Sequence, residues 1–189
     1  YSNDNGATWS EPQYIDEEFV YSKFDNSAYG PIRGWFIGSG KICQSTKTKV
    51  NKYRRLYLVG SSCRQGSNET ANWVLYSDDF GETWEFLGGC DVSPMPNGDE
   101  PKAEELPDGS VLLSSRCNGG RRFNIFTFTD TKKAEGSWGE VAFSGQSNNG
   151  VTALNNACNG EVMLVPVTRK KDNQKMFLLL QSVPVGSGR

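Results

Sequence analysis

Short apolar runs recur along the chain, each broken off by glycine, asparagine, aspartate or proline. RLYLVGSS (55–62), NWVLYSDD (72–79), GSVLLSSR (109–116), RFNIFTFTD (122–130), GEVMLVPVT (160–168) and KMFLLLQSV (175–183) are rich in β-branched and aromatic residues. Bounded as they are by turn formers, they predict strands. Alternation is clear in FNIFTFTD, where Phe123 and Ile125 share a face with a flanking Phe; VLLSS and FLLLQ are nearly continuous, which suits strands covered on both sides in stacked sheets. No segment sustains apolar positions at i, i+3, i+4 and i+7, so helix is minor. Polar stretches at 44–54, 63–72, 91–101 and 144–160 read as loops on a β scaffold, where binding residues tend to sit.

Two turns punctuate this pattern with the same motif. SNDNGATW (2–9) and SDDFGETW (77–84) both read Ser-x-Asp-x-Gly-x-Thr-Trp, 75 residues apart. The side-chain oxygens of Ser2 and Asp4, and of Ser77 and Asp79, can fold onto nearby backbone N–H groups. Gly6 and Gly81 permit positive φ at the tip, and Trp9 and Trp84 carry a large ring into the next strand. A degraded copy lies at TDTKKAEGSW (129–138), keeping Asp130, Gly136 and Trp138. Repetition with an aromatic motif at one hairpin is the cue for β-propeller blades of about four strands. At that period the chain makes about three blades, which cannot close a ring without bare edges. It is therefore expected to be part of a larger propeller, with both ends cut from something longer.

Composition narrows the chemistry. The 189 residues carry 20 Lys and Arg against 22 Asp and Glu, a formal net charge of −2, which gives no basic footprint for nucleic acid. No apolar run approaches the ~20 residues of a membrane helix. Cys43, Cys63, Cys90, Cys117 and Cys158 are scattered without metal-binding spacing and read as buried thiols, leaving room for one or two disulfides. The chain has no histidine, which excludes His-based triads here and argues against zinc. Neither a metal nor a cofactor is expected.

The densest local constellation is NGDEPKAEELPDGSVLLSSR (97–116). If Glu100 and Arg116 occupy the same ends of adjacent antiparallel strands, both point into one mouth. From charge patterning alone, with Asp99, Glu104, Glu105 and Asp108 nearby, a surface salt bridge or solvated acidic run is the better reading. Arg121 and Arg122 could line the mouth, but strand-face or turn salt bridges are the better reading; Lys132-Lys133 and Arg169-Lys170-Lys171 read as solvated hairpin tips. Trp35 and Phe36, beside a Gly-Ser-Gly loop, could support a pocket wall, but core packing is the better reading. Asn68-Glu69-Thr70 is a glycosylation sequon, meaningful only in a eukaryotic secretory setting.

The two turns match the Asp boxes of the sialidase (neuraminidase) family, and 97–116 resembles that family's Glu-x-x-x-x-Glu-Leu-x-Asp-Gly…Asn/Ser-x-Arg stretch through Glu100, Glu105, Leu106, Asp108, Gly109 and Arg116. WFIGSGKICQ (35–44) resembles its Gly-x-Gly strand and LLLQSVPVGSGR (178–189) its Leu-x-x-Ser-x-Pro…Arg segment, so the likeness runs the length of the chain in order. The resemblance implies an all-β, six-bladed propeller of bacterial type, of which residues 1–189 form roughly the central half of one catalytic domain. It implies an exo-α-sialidase that removes terminal sialic acid from glycoproteins, glycolipids or oligosaccharides, with retention, in a secreted, periplasmic or cell-surface setting. A non-catalytic Asp-box propeller that binds glycans or proteins, and a trans-sialidase, remain alternatives.

Carried over by residue, Glu100 resembles the base that takes the proton of a nucleophilic tyrosine. Arg116 and Arg189 resemble the second and third arginines of a triad gripping the sialic acid carboxylate. Guanidinium is always charged and forks onto a carboxylate, and a tyrosine near its ordinary pKa of about 10 needs a base to become a nucleophile. The family's first arginine and acid/base aspartate precede the first box, and its tyrosine follows the third arginine. The resemblance therefore predicts that residues 1–189 alone are inactive on a fluorogenic sialoside; measurable hydrolysis by this piece would contradict it.

Overall fold

The computed structural model describes residues 1–12, 14, 17–117, 120–145 and 159–182. Its order is α1 (Glu17–Asp25), β1 (Ile32–Ile37), β2 (Cys43–Val50), β3 (Tyr53–Arg64), β4 (Thr70–Ser77), β5 (Glu85–Phe86), β6 (Met95–Pro96), β7 (Asp99–Glu105), β8 (Val111–Cys117), β9 (Gly120–Asp130), β10 (Glu135–Trp138), β11 (Ala142–Gly145), β12 (Val162–Arg169) and β13 (Gln174–Gln181). All pairing is antiparallel. In the first sheet β1 and β2 share one edge of β3, β4 follows, and β5 and β6 share its far edge. In the second, β7, β8 and β9 lie in order and β10 and β11 share the last edge. Each is a four-layer meander of the kind that forms a propeller blade. β12 and β13 form a separate hairpin.

The six predicted strands are all present, and two features of the pattern came out differently. The stretch 44–54, read as a loop, is mostly β2, whose polar CQSTKTKV buries Cys43, Ser45 and Thr48 against the neighbouring sheet. The helix α1 has only Val20 and Phe24, one turn apart, as fully buried apolar residues. Those two pack on Trp73, Leu75 and Phe86 across the outer face of the first sheet. The continuous apolar runs of β4 and β8 are buried on both sides as expected. Phe177, Leu178, Leu179 and Leu180 of β13 are instead about half exposed, the hairpin meeting the second sheet through β12 against β7 and through Gln181. Cys43, Cys63, Cys90 and Cys117 are free thiols, and Cys158 lies outside the described residues.

The two sheets meet through alternate residues. Ala103, Val111, Leu113 and Phe126 face Tyr57, Val59 and Val74 in one cluster. Glu105 ends β7 on this face, 5 % exposed, and its carboxylate accepts from Ser45 Oγ, Thr46 N (2.6 Å), Thr46 Oγ1 (2.9 Å) and Lys47 N (3.2 Å). A buried carboxylate is tolerable only with its lone pairs filled in this way.

The two box turns are superimposable in their bonding. Gly6 N and Gly81 N each donate to the first Ser Oγ at 2.8 Å. The Asp carboxylates accept Thr8 N (2.8 Å) and Oγ1 (2.6 Å) in one turn and Thr83 N (2.9 Å) and Oγ1 (2.6 Å) in the other. Asn5 and Gly6, like Phe80 and Gly81, have positive φ. Thr8 hydrogen bonds hold the Asp4 carboxyl near 2, below its ordinary range. Trp84 is buried and donates to Gly81 O at 3.0 Å, whereas Trp9 is 73 % exposed because no described strand follows it. The degraded copy occupies the same place in the second sheet, the turn leaving the third layer: Asp130 Oδ1 accepts Lys132 N at 2.9 Å, and Trp138 Nε1 donates to Leu87 O at 2.8 Å.

Arg55 ties these turns together. Its side chain is fully buried, forks onto Asp78 (2.7 Å and 2.7 Å), and donates to Thr131 O (2.7 Å) and Lys132 O (3.2 Å) of the neighbouring sheet. Tyr76 and Phe128 lie under its guanidinium at 4.8 and 5.8 Å. Arg55→Leu strands Asp78 and two carbonyls at once. It is expected to lower stability by about 2–4 kcal/mol, less than a wholly buried pair because Asp78 keeps some solvent. Urea unfolding checks this, and a loss below about 1 kcal/mol would contradict it.

Candidate functional site

Strand direction separates two ends of the sheets. β4 and β9 both run out into box-type turns, at Ser77 and Asp130, so their starts at Thr70 and Gly120 lie at the opposite end. The eleven residues of β9 make that separation roughly 30 Å. Cys117 pairs with Gly120, Arg116 with Arg121 and Asp99 with Arg116, which sets Asp99, Glu100 and Arg116 at the end remote from the boxes.

A β-bulge aims Glu100. Asp99 pairs with Arg116 and Lys102 with Ser114, so Glu100 and Pro101 together oppose the single residue Ser115. Glu100 carries a φ of 36°, unusual for a residue with a side chain. Pro101 has no N–H to lose from the ladder and fits a bulge. In an unbroken strand, neighbours 99 and 100 would face opposite sides. The extra residue turns both carboxylates onto Arg116, Nη1 lying 3.1 Å from Glu100 Oε2 and 3.3 Å from Asp99 Oδ2.

The loop before the bulge is seated by polar contacts. Asn97 N donates to Thr70 O at 2.7 Å and Asp99 N to Ser115 Oγ at 3.1 Å. Ser115 Oγ donates to Asn72 Oδ1 at 2.5 Å, and Asn72 Nδ2 to Ser61 Oγ at 2.6 Å. Gly98 is needed here, because a Cβ would stand 2.2 Å from Asn72 Oδ1 and 2.6 Å from Ser115 Oγ. Thr70, Asn97, Asp99, Arg116 and Cys117 line a cleft of about 190 Å³. That is smaller than a typical ligand pocket of about 300 Å³ or more, so this chain's described residues form only part of one. The larger cleft of about 440 Å³ lies at the box end among Tyr1, Tyr14, Leu56, Phe80 and Trp84 and holds no side-chain charge to grip an anion.

Of the predicted site residues, Glu100 and Arg116 are brought together and Arg189 lies outside the described residues. Arg121, read from sequence as a strand-face or turn salt bridge with the mouth as the alternative, is 1 % exposed beside Arg116 on the neighbouring strand. Asp99 was missed as a second partner of Arg116. Its signal was the Asp-Glu-Pro run, whose proline marks the bulge. Burial raises the hydroxyl pKa of Tyr29, Tyr57 and Tyr76, the opposite of what a tyrosine nucleophile needs. Among the described residues no cluster of His, Cys, Asp and Glu suits a metal, and no helix is long and apolar enough to cross a membrane.

Glycine in an ordinary strand costs roughly 0.5–1 kcal/mol. The positive φ at position 100 reverses that expectation. Glu100→Gly is expected to unfold within about 0.5 kcal/mol of wild type or above it, the partly exposed ion pair being worth at most about 1 kcal/mol. A loss of more than about 1.5 kcal/mol in urea unfolding would show that the carboxylate, not the bulge, shapes this end.

Comparison with known proteins agrees with this geometry. The BNR/Asp-box repeat family model matches residues 1–11 and 75–86, the two superimposable turns. A sialidase of Paraclostridium sordellii is 34% identical over 120 residues, 63% of this chain and 27% of that protein. Sialidase-3 of Rattus norvegicus is 28% identical over 134 residues, 68% of this chain and 30% of its own length. A sialidase of Clostridium perfringens is 33% identical over 116 residues, 61% and 28%. The matched part thus spans under a third of each relative. Box turns bonded alike, blade-like antiparallel sheets and similarity to three sialidases together support placing this chain with the sialidases.

Proposed function

We propose that this chain is the central part of a six-bladed propeller exo-α-sialidase, and that Glu100 and Arg116 act in its chemistry. The observation that carries the reading is the bulge that turns Glu100 onto Arg116 at the end of the sheets away from the box turns. The Asp-box match and the sialidase relatives support it. The substrates are sialylated glycans, and the remaining blades and one or more walls of the pocket come from outside residues 1–189.

Sialic acid carries a carboxylate on the carbon that is attacked. A planar guanidinium receives that carboxylate through two parallel hydrogen bonds, fixing the sugar as well as its charge. Arg116 is 19 % exposed at its side chain and held at one edge by Asp99 and Glu100, so its remaining donors are presented toward the cleft without a search over rotamers. Arg189 would be a second clamp. Glu100 would accept the proton of a tyrosine hydroxyl as that oxygen attacks the anomeric carbon and the glycosidic bond breaks, the aglycone leaving with a proton from an acid outside residues 1–189; water then hydrolyses the tyrosyl–sugar intermediate with overall retention. An aryloxide approaches a centre already bearing a carboxylate with less repulsion than a carboxylate nucleophile would. The convergence of Glu100 and Arg116 supports the enzyme reading over a binding-only propeller.

In the complete protein, Arg116→Lys keeps the charge and loses the fork. It is expected to raise KM for a fluorogenic sialoside about tenfold or more, while Glu100→Gln lowers kcat about a hundredfold. Unchanged KM in the first variant would remove Arg116 from the clamp, and unchanged kcat in the second would remove Glu100 as the base.

A further inference from the structure

Arg116 cannot make the mouth attractive to an anion by itself, because it lies between two carboxylates, Asp99 and Glu100. The compensating charge lies on the same face of the sheet, level with Arg116 at Arg121 and lower along the strands at Lys102. Arg121 sits directly opposite Arg116 on β9, and Lys102 directly opposite Ser114 on β7. Cross-strand partners share a face with their Cβ atoms about 5 Å apart, so Lys102, Ser114, Arg116 and Arg121 line one surface. Both cations are buried, Arg121 1 % and Lys102 4 % exposed. Like charges directly opposite one another are unfavourable in a sheet, and burying a guanidinium and an ammonium adds to that cost. Neither residue is explained by apolar packing.

A hydrogen-bonded chain fixes this surface. Arg121 Nε and Nη2 donate to Ser114 Oγ at 3.3 and 3.1 Å, and Ser114 Oγ donates to Gln181 Oε1 of β13 at 2.7 Å. Gln181 Nε2 in turn donates to Glu161 O at 3.0 Å and Ser182 O at 2.8 Å. Lys102 Nζ reaches Ser39 Oγ at 3.4 Å. A side chain at Gly40 would strike both Lys102 Nζ and Glu161 Oε2, so these charges flank the same glycine. The surface around them therefore holds two cations and one carboxylate, and it offsets the surplus carboxylate at Arg116.

We propose that Lys102 and Arg121 are positioning residues of the site: two buried cations that offset the charge of Asp99 and Glu100 and keep Arg116 turned to the mouth. This rests on the sialidase reading. Burial pushes Lys102 down and Arg121 to about 10, which leaves Arg121 charged in neutral solution. Among the described residues, the charged groups near Glu100 are Asp99 and Lys102 on β7, Arg116 on β8 and Arg121 on β9; Glu161 before β12 acts on Lys102 and Arg121, and the thiol of Cys117 lies beside Arg121. A nearby cation favours the charged form of a carboxylate, so removing one is expected to move the acidic limb of the activity profile upward.

The test is the pH dependence of kcat/KM for a fluorogenic sialoside in the complete protein, comparing wild type with Lys102→Met, Arg121→Met and Arg121→Lys. Both Met variants are expected to move the acidic limb upward by about one pH unit and to lower kcat/KM at neutral pH about tenfold. Arg121→Lys, which keeps the charge, is expected to restore the limb. Should Arg121→Met fail to fold, the limb of Lys102→Met decides. Met variants that lose activity equally at every pH, with the limb unmoved, overturn the proposal and leave a merely structural role. A wild-type protein without sialidase activity refutes the sialidase reading itself, and an active one with unmoved limbs refutes the cation pair alone.

Discussion

The buried carboxylate of Glu105 is the joint on which the molecule turns. It closes the strand that borders both sheets and draws four donors from residues 45–47 of the first sheet onto the second. Side-chain period in a strand is two, so a slip of one residue would turn Glu105 out and Glu104 in. Glu104 instead pairs with Lys41 on the other face at 2.5 Å. With one end of β7 so fixed, its other end can carry a strained bulge, and the position of Glu100 follows from the register. Arg55 does comparable work at the same end, locking the turns of adjacent sheets to each other.

Stability and chemistry are thus kept at opposite ends. The box end is rich in satisfied, local hydrogen bonds: an Asp carboxylate filled by a Thr, a Ser filled by a Gly N–H, a buried guanidinium filled by carbonyls. The far end keeps a positive φ, an arginine shared by two carboxylates and buried cations on the same face. Such features persist only when their surroundings over-determine them. The loop from Asn97 to Asp99, bonded to Thr70 O and Ser115 Oγ, supplies that restraint.

Much of the fold was legible in the sequence because strands and turns are local. Six strands were readable from apolar runs, and the box turns from five shared residue types. What was not legible depended on partners far along the chain. β2 is polar to the eye and becomes a strand only because Cys43, Ser45 and Thr48 find a neighbouring sheet. α1 rests on two buried side chains and has no periodic stripe of its own. At the candidate site, charge patterning already gave a salt bridge, which Glu100 and Arg116 form, and the family resemblance supplied the proposed roles. The role of Asp99 needed the bulge, which a Glu-Pro step marks without saying which way the carboxylates turn. The burial of Arg121 needed the cross-strand register, which places it beside Arg116 rather than at a turn.

The central claim is that a sialic acid carboxylate is received by Arg116 while Glu100 serves a tyrosine. The most direct measurement is a crystal structure of the complete protein with a 2,3-unsaturated sialic acid analogue. The expected result places the analogue's carboxylate within hydrogen-bond distance of the Arg116 guanidinium, with Glu100 in hydrogen-bond reach of a tyrosine hydroxyl below the sugar ring. An analogue bound elsewhere, with Arg116 still engaged only by Asp99 and Glu100, would contradict it.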